Sequence, residues 1–211
     1  LGLVSPGEFI PLAEMSDMII SMTEWVIDKT LQNIQTWREQ GLFVKVSVNV
    51  STRNLLDENL ISYIKDKLDQ YQVPAHLLEI EITESALMAD PDRALDTLNK
   101  ISELGVSISV DDFGTGYSSL IYLRKLPLNA LKIDITFVRN MCHNEQDEII
   151  VNSIINLSHN LGLVVVAEGA EDKETVDRLN EMNCDQVQGF YFSKPLVARD
   201  FKKFCDEFKR Q

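Results

Sequence analysis

The sequence predicts an α/β domain whose strands run parallel. Two observations carry this. Short apolar stretches of strand length alternate with longer stretches at helical spacing along the 211 residues. Polar side chains then gather at the C-terminal ends of the strand-like stretches, where parallel strands would otherwise read as unbroken apolar runs. Strand–helix units of this length imply right-handed crossovers between neighbours. A β/α barrel and a doubly wound sheet both fit the alternation. The count of six strands falls short of the eight in a (β/α)8 barrel.

The elements follow in order. Residues 8–40 read as helical, with Met18, Ile19, Met22, Trp25, Val26 and Leu31 at helical spacing and Gly41 as a stop. A strand over 43–50 precedes a helix over 58–71. A strand over 77–83 leads to a helix over 92–104, closed by Gly105, and a strand over 106–111. A loop and short helix over 118–126 reach a strand over 130–134. A helix over 146–161 and a strand over 163–168 follow. The chain finishes with a helix over 173–182, a strand over 186–192 and a helix over 198–209. No linker, low-complexity segment or second-domain boundary interrupts the series.

Composition excludes several classes. Apolar content of 45% and charged content of 25% are those of a globular domain. No apolar run is long enough to span a membrane, so no direct membrane insertion is expected. The start, Leu1-Gly2-Leu3-Val4-Ser5-Pro6, lacks the basic and apolar regions of a signal peptide. Cys142, Cys184 and Cys205 are odd in number and unpaired in spacing, which argues against disulfides and a cysteine zinc site. The expected setting is cytoplasmic, whether free or as the cytoplasmic part of a membrane-anchored protein. A net charge of −13 repels phosphate backbones, so no DNA or RNA polymer is an expected partner. A phosphate-ester substrate would need bound cations to reverse the local field.

The polar residues fall on defined faces. Ser47 and Asn49 share one face of their strand, as do Glu79, Glu81 and Thr83 on the next. Ser107, Ser109 and Asp111 share a face, then Lys132 and Asp134. The fifth strand is apolar up to Glu168. Asn49, Glu81, Asp111, Asp112, Asp134 and Glu168 would bring five carboxylates and one amide to one rim, with Lys132 as a lone cation. Any one of these acids alone reads as a solvated strand end. Recurrence on five strands points instead to a cation site, because uncompensated buried carboxylates repel one another. Oxygen donors suit Mg²⁺ or Mn²⁺, and two such ions can activate water and clamp both oxygens of a phosphoryl displacement.

Several segments together resemble the EAL domain family. They are Ser5-Pro6-Gly7-Glu8-Phe9-Ile10-Pro11-Leu12-Ala13-Glu14, Val48-Asn49-Val50-Ser51, Glu81-Ile82-Thr83-Glu84 and Asp111-Asp112-Phe113-Gly114-Thr115-Gly116-Tyr117-Ser118-Ser119-Leu120. Lys132-Ile133-Asp134, Ala167-Glu168-Gly169 and Gln188-Gly189-Phe190-Tyr191 complete the series in the family's order. The resemblance implies a modified (β/α)8 TIM-type barrel that hydrolyses cyclic di-GMP to linear pGpG with Mg²⁺ or Mn²⁺, two ions being expected. It implies Asn49, Glu81 and Asp111 as metal ligands, with Asp112 and Asp134 around the second metal and Glu168 as ligand or base. Lys132 would hold the attacking water or phosphate, and Gln188 would orient water. Glu84 and Glu171 would act in support, Glu84 by anchoring the loop after Asp112. Pro6, Phe9 and Tyr191 would line a guanine pocket, with core packing as the bland alternative. His76, His143 and His159 lack ligand spacing, and Trp25 and Trp37 read as packing residues.

The pattern also departs from the family. The Glu-Ala-Leu motif lies upstream of the segment that opens this chain. Residues 1–211 therefore read as a single EAL-type domain lacking its N-terminal portion, with the first helix and two strands missing. Ala170 stands where the family usually has valine. The resemblance further implies a homodimer and an upstream sensory or GGDEF-type domain. The alternative function is a catalytically inactive EAL domain that serves as a cyclic di-GMP receptor or protein-interaction module.

Overall fold

A computed structural model describes residues 2, 4–116 and 120–208, with only the backbone of residues 120 and 121. Leu1, Leu3, the Tyr117-Ser118-Ser119 part of the motif, the start of the 118–126 helix and position 209 lie outside the described residues. The chain forms two compact units, Leu1–Ile108 and Ser109–Gln211.

The first unit begins with helices α1 (Pro6–Glu14) and α2 (Met18–Glu39). The helix expected over 8–40 is thus two. Ser16 breaks it: its N–H and hydroxyl both return to the Ala13 carbonyl, closing α1. Strand β1 (Val46–Asn49), helices α3 (Thr52–Leu55) and α4 (Leu60–Tyr71), strand β2 (Leu78–Thr83) and helices α5 (Glu84–Ala89) and α6 (Pro91–Glu103) follow. β1 and β2 pair in parallel, with Asn49 aligned on Glu81. Ile27, Leu31 and Ile34 of α2, Ile64 of α4, and Leu78, Ile80 and Ile82 of β2 are fully buried in this unit. Each such side chain contributes roughly 1.5–3 kcal/mol of transfer free energy. β1 is shorter than the 43–50 expected, because residues 43–45 have no strand partner.

Strand β3 (Ser107–Phe113) carries the chain across the division. The second unit continues with α7 (Leu120–Leu123), β4 (Ala130–Ile133), α8 (Ile135–Val138), α9 (Glu145–Asn160), β5 (Val164–Glu168), α10 (Lys173–Glu181), β6 (Gln186–Gln188) and α11 (Ala198–Phe208). β3 pairs with β4, β4 with β5, and β5 with β6, all in parallel. Leu131 and Ile133 of β4, Val165 and Ala167 of β5, and Val151 and Ile155 of α9 are buried here. The strand expected over 186–192 ends at Gln188, and the chain turns at once. Among the described residues no helix is long and apolar enough to cross a membrane.

Candidate active site

The second unit assembles its polar cluster around an irregularity in β3. Val110 aligns with Leu131, but the next alignment pairs Phe113 with Ile133. One extra residue therefore sits in β3, a β-bulge that contains Asp111 and Asp112. Strict alternation would send two consecutive side chains to opposite faces. The bulge re-aims them, and Asp112 adopts a left-handed φ of 54°, a conformation Asp tolerates better than most residues. The Asp112 carboxyl is pushed up to about 6, first by burial, then by the charge of Asp111 and a hydrogen bond shared with Asp134.

Lys132 lies at the centre. It is only 5% exposed, a costly place for an ammonium without partners. Its Nζ lies 2.5 Å from Glu168 Oε1 and 3.4 Å from Asp111 Oδ1. Glu168 ends β5 and aligns with Gln188 of β6, so these two strand ends stand side by side, with Gln188 exposed. The chain beyond them is held tightly. Gly169 and Ala170 N–H both donate to the Gln188 carbonyl, and Tyr191 N–H donates to the Ala170 carbonyl. A Cβ on Gly189 would lie 2.0 Å from the Ala170 carbonyl oxygen, so only glycine permits this approach. Gly169 has φ 82°, and a Cβ there would meet Ile135 Cγ1 at 2.1 Å.

Asp134 follows β4 and caps α8. Its Oδ1 accepts the Thr136 N–H at 2.7 Å and the Thr136 hydroxyl. Burial alone would raise this carboxyl. The Thr136 hydrogen bonds and the bond shared with Asp112 outweigh burial and lower it. Glu171 is exposed and forms an ion pair with Arg139, just past α8. Tyr191 is 42% exposed and packs edge-on against Phe192, with ring centroids 5.1 Å apart.

The first unit holds the remaining candidates. Asn49 and Glu81 occupy matching positions on β1 and β2, and the Val50 N–H donates to the Glu81 carbonyl at 2.8 Å, extending the ladder past both. Just beyond Asn49, Ser51 and Asn54 form a capping box on α3. Asn54 is 1% exposed, and its Oδ1 also accepts the Thr23 hydroxyl at 3.1 Å. Below Glu81 on the same face, Glu79 accepts from Lys45 Nζ and the Ser47 hydroxyl, each at 3.0 Å. Glu84 is buried in the first turn of α5, which Thr83 caps through the Ala86 N–H. Pro6 opens α1, and Phe9 on the same helix is 38% exposed. A cleft of about 690 Å³ is lined by Asn49, Ser51, Arg53, Thr83, Ser85 and hydrophobic residues of α1 and α2.

Each unit thus gathers part of the expected set: Asn49 with Glu81 in the first, and Asp111, Asp112, Lys132, Asp134, Glu168 and Gln188 in the second. Among the described residues no three Asp, Glu, His or Cys side chains stand ready as a metal ligand set. The donor chemistry nevertheless suits a hard cation. These are oxygen donors, and the Asp111–Asp112–Asp134 crowding leaves a repulsion that a divalent ion would relieve. Residue patterns missed three bonds: Thr136 on Asp134, Arg139 on Glu171, and Thr23 on Asn54. Asp-x-Thr before a helix is a capping pattern and could have revealed the first. The other two join residues distant in sequence and have no local signal.

The EAL domain family profile matches residues 1–195. The signaling protein YkoW of Bacillus subtilis is 41% identical over 202 residues, covering 96% of this chain and 25% of YkoW. The cyclic di-GMP phosphodiesterase NbdA of Pseudomonas aeruginosa is 39% identical, covering 99% of this chain and 27% of NbdA. The chain therefore spans about a quarter of the length of these curated relatives. Among solved structures, the PaMucR phosphodiesterase in complex with c-di-GMP matches with a TM-score of 0.91 at 37% identity, covering 95% of this chain and 81% of that one. With the family profile matched over residues 1–195 of its 211, the chain belongs to the EAL domain family.

Proposed function

We propose that this chain is the hydrolytic domain of a cyclic di-GMP phosphodiesterase that opens one phosphodiester to give linear pGpG. The observation that carries the reading is Lys132, buried on β4 between the carboxylates of Asp111 and Glu168. Asn49 and Glu81 of the first unit, and Asp111, Asp112, Asp134 and Glu168 of the second, are the proposed oxygen donors to Mg²⁺ or Mn²⁺, with two ions expected. When bound, the metal would sharpen the acidity of a water and screen the charge on the phosphoryl oxygens.

The protein's own groups support this chemistry. Lys132 fixes the orientation of Asp111 and Glu168 and offers N–H donors to a phosphoryl oxygen or to the attacking water. Glu168, with Lys132 beside it, is proposed either as a donor to the ion or as the base that accepts a proton from that water. Gln188, aligned with Glu168, has an amide able to orient the water. Glu84 is proposed to anchor the loop after Asp112, and Glu171, held by Arg139, to steady the segment after β5. Pro6, Phe9 and Tyr191 are proposed guanine contacts, consistent with the exposure of Phe9 and Tyr191. A homodimer, an upstream sensory or GGDEF-type domain and a cytoplasmic location complete the proposal.

The test is turnover of cyclic di-GMP by the full-length protein with Mn²⁺ or Mg²⁺, read as pGpG by chromatography. Release of pGpG that stops with chelator is the expected result. Tight binding of cyclic di-GMP without pGpG release would overturn hydrolysis in favour of a receptor.

A further inference from the structure

We propose that Thr136 is a positioning residue that sets how the Asp134 carboxylate is presented to the divalent ion; this rests on the metal-dependent reading above. A carboxylate on a flexible side chain can turn about its last bond, and a single hydrogen bond leaves much of that freedom. Here two donors from one residue converge on one oxygen. The Thr136 N–H reaches Asp134 Oδ1 at 2.7 Å, and the Thr136 hydroxyl reaches the same atom. Oδ2 is left as the oxygen that Thr136 does not engage.

The threonine is itself fixed. Phe137 N–H returns to the Asp134 carbonyl at 3.2 Å, closing the first turn of α8. The intervening Ile135 packs against Gly169, the residue directly after Glu168. Ile135, between the two clasped residues, thus packs the end of β4 against the segment after β5. Thr136 is exposed, so its hydroxyl contributes little to a core. Its geometry is explained by what it holds. Groups that orient metal ligands without touching the metal typically change metal affinity by about 10- to 100-fold.

The experiment titrates Mn²⁺ alone into the full-length protein and its T136V, T136A and T136S variants, following free Mn²⁺ by electron paramagnetic resonance. Cyclic di-GMP turnover is measured in parallel, and thermal melts confirm that each variant is folded. T136V keeps the shape and loses the hydroxyl donor while the backbone N–H remains, and T136A removes the hydroxyl without a new methyl. Both are expected to raise the Mn²⁺ dissociation constant about 10- to 100-fold. T136S restores the hydroxyl and is expected to bind as the parent does. Unchanged Mn²⁺ affinity in either folded hydroxyl-free variant overturns the assignment, as does weakened affinity in T136S. If the parent binds Mn²⁺ and T136V binds it weakly while no pGpG forms in either, the positioning role stands and the hydrolytic reading falls.

Discussion

Removing the ammonium of Lys132 takes a cation from between two carboxylates. Asp111 and Glu168 have side chains only 14% and 18% exposed, and each takes a bond from this amine. In Lys132→Met a buried attraction becomes a buried repulsion, which typically costs about 3 kcal/mol or more. The expected readout is a lower urea midpoint in chelator. Turnover should fall by at least about 100-fold if the amine also donates to the reacting phosphate. Asp112 gives a second, opposite expectation. Its folded carboxyl titrates near 6, above the ordinary value of 3.8, so the folded state holds a proton that the unfolded chain has released. That contribution is full below the unfolded value and is lost as pH rises through about 6. Without metal, the melting temperature should therefore fall between roughly pH 4 and pH 6 by more in the parent than in Asp112→Asn, where the titration is gone. Equal slopes in the two proteins would remove Asp112 as the cause.

At the scale of elements, the irregular pieces do the positioning, and these were the least legible in the sequence. Periodicity located all six strands and the longer helices, because each repeats its pattern over enough residues to be read. It could not locate α3 or α8, which are four residues long, or the bulge, which appears only as a slip in register against β4. Past Ser109 the expected alternation meets the bulge, and Asp111 there pairs with Lys132, two residues beyond the Ala130 that aligns with Ser109. Glu168 and Lys132 stood out in the sequence because a charged residue in an apolar strand needs a reason. Their mutual contact was not, since it joins different strands. The loop after β5 offers a direct test. Gly169→Ala meets both a left-handed backbone angle and the Ile135 side chain. The angle alone costs about 1–2 kcal/mol, and the clash adds to it. A loss of that size or more in calorimetry is expected, with a further drop in turnover because Glu168 is the preceding residue. Wild-type stability in this variant would show that the loop relaxes freely.

Over the whole molecule, charge and sequence order carried most of the reading. On the proposed reading, a chain of net charge −13 would need cations to handle a phosphate diester, so divalent ions should stabilise it as well as activate it. Mn²⁺ at about 100 times its dissociation constant is expected to add about 2.7 kcal/mol to unfolding. A rise in melting temperature that chelator reverses, and that Asp111→Asn abolishes, would bear this out; no rise would contradict metal binding by this chain. The motif order over residues 1–195 was enough to identify the family, whereas oligomeric state and neighbouring domains leave no comparable mark on these residues. Helix α2 carries Trp25 and Trp37, both tryptophans of the sequence, while Cys142, Cys184 and Cys205 all fall after residue 108. Indole emission thus reports on residues 1–108 and thiol alkylation on residues 109–211, in one unlabelled sample. Within the second reporter the Cys184 thiol, pushed up to about 11 by burial, should alkylate slowly.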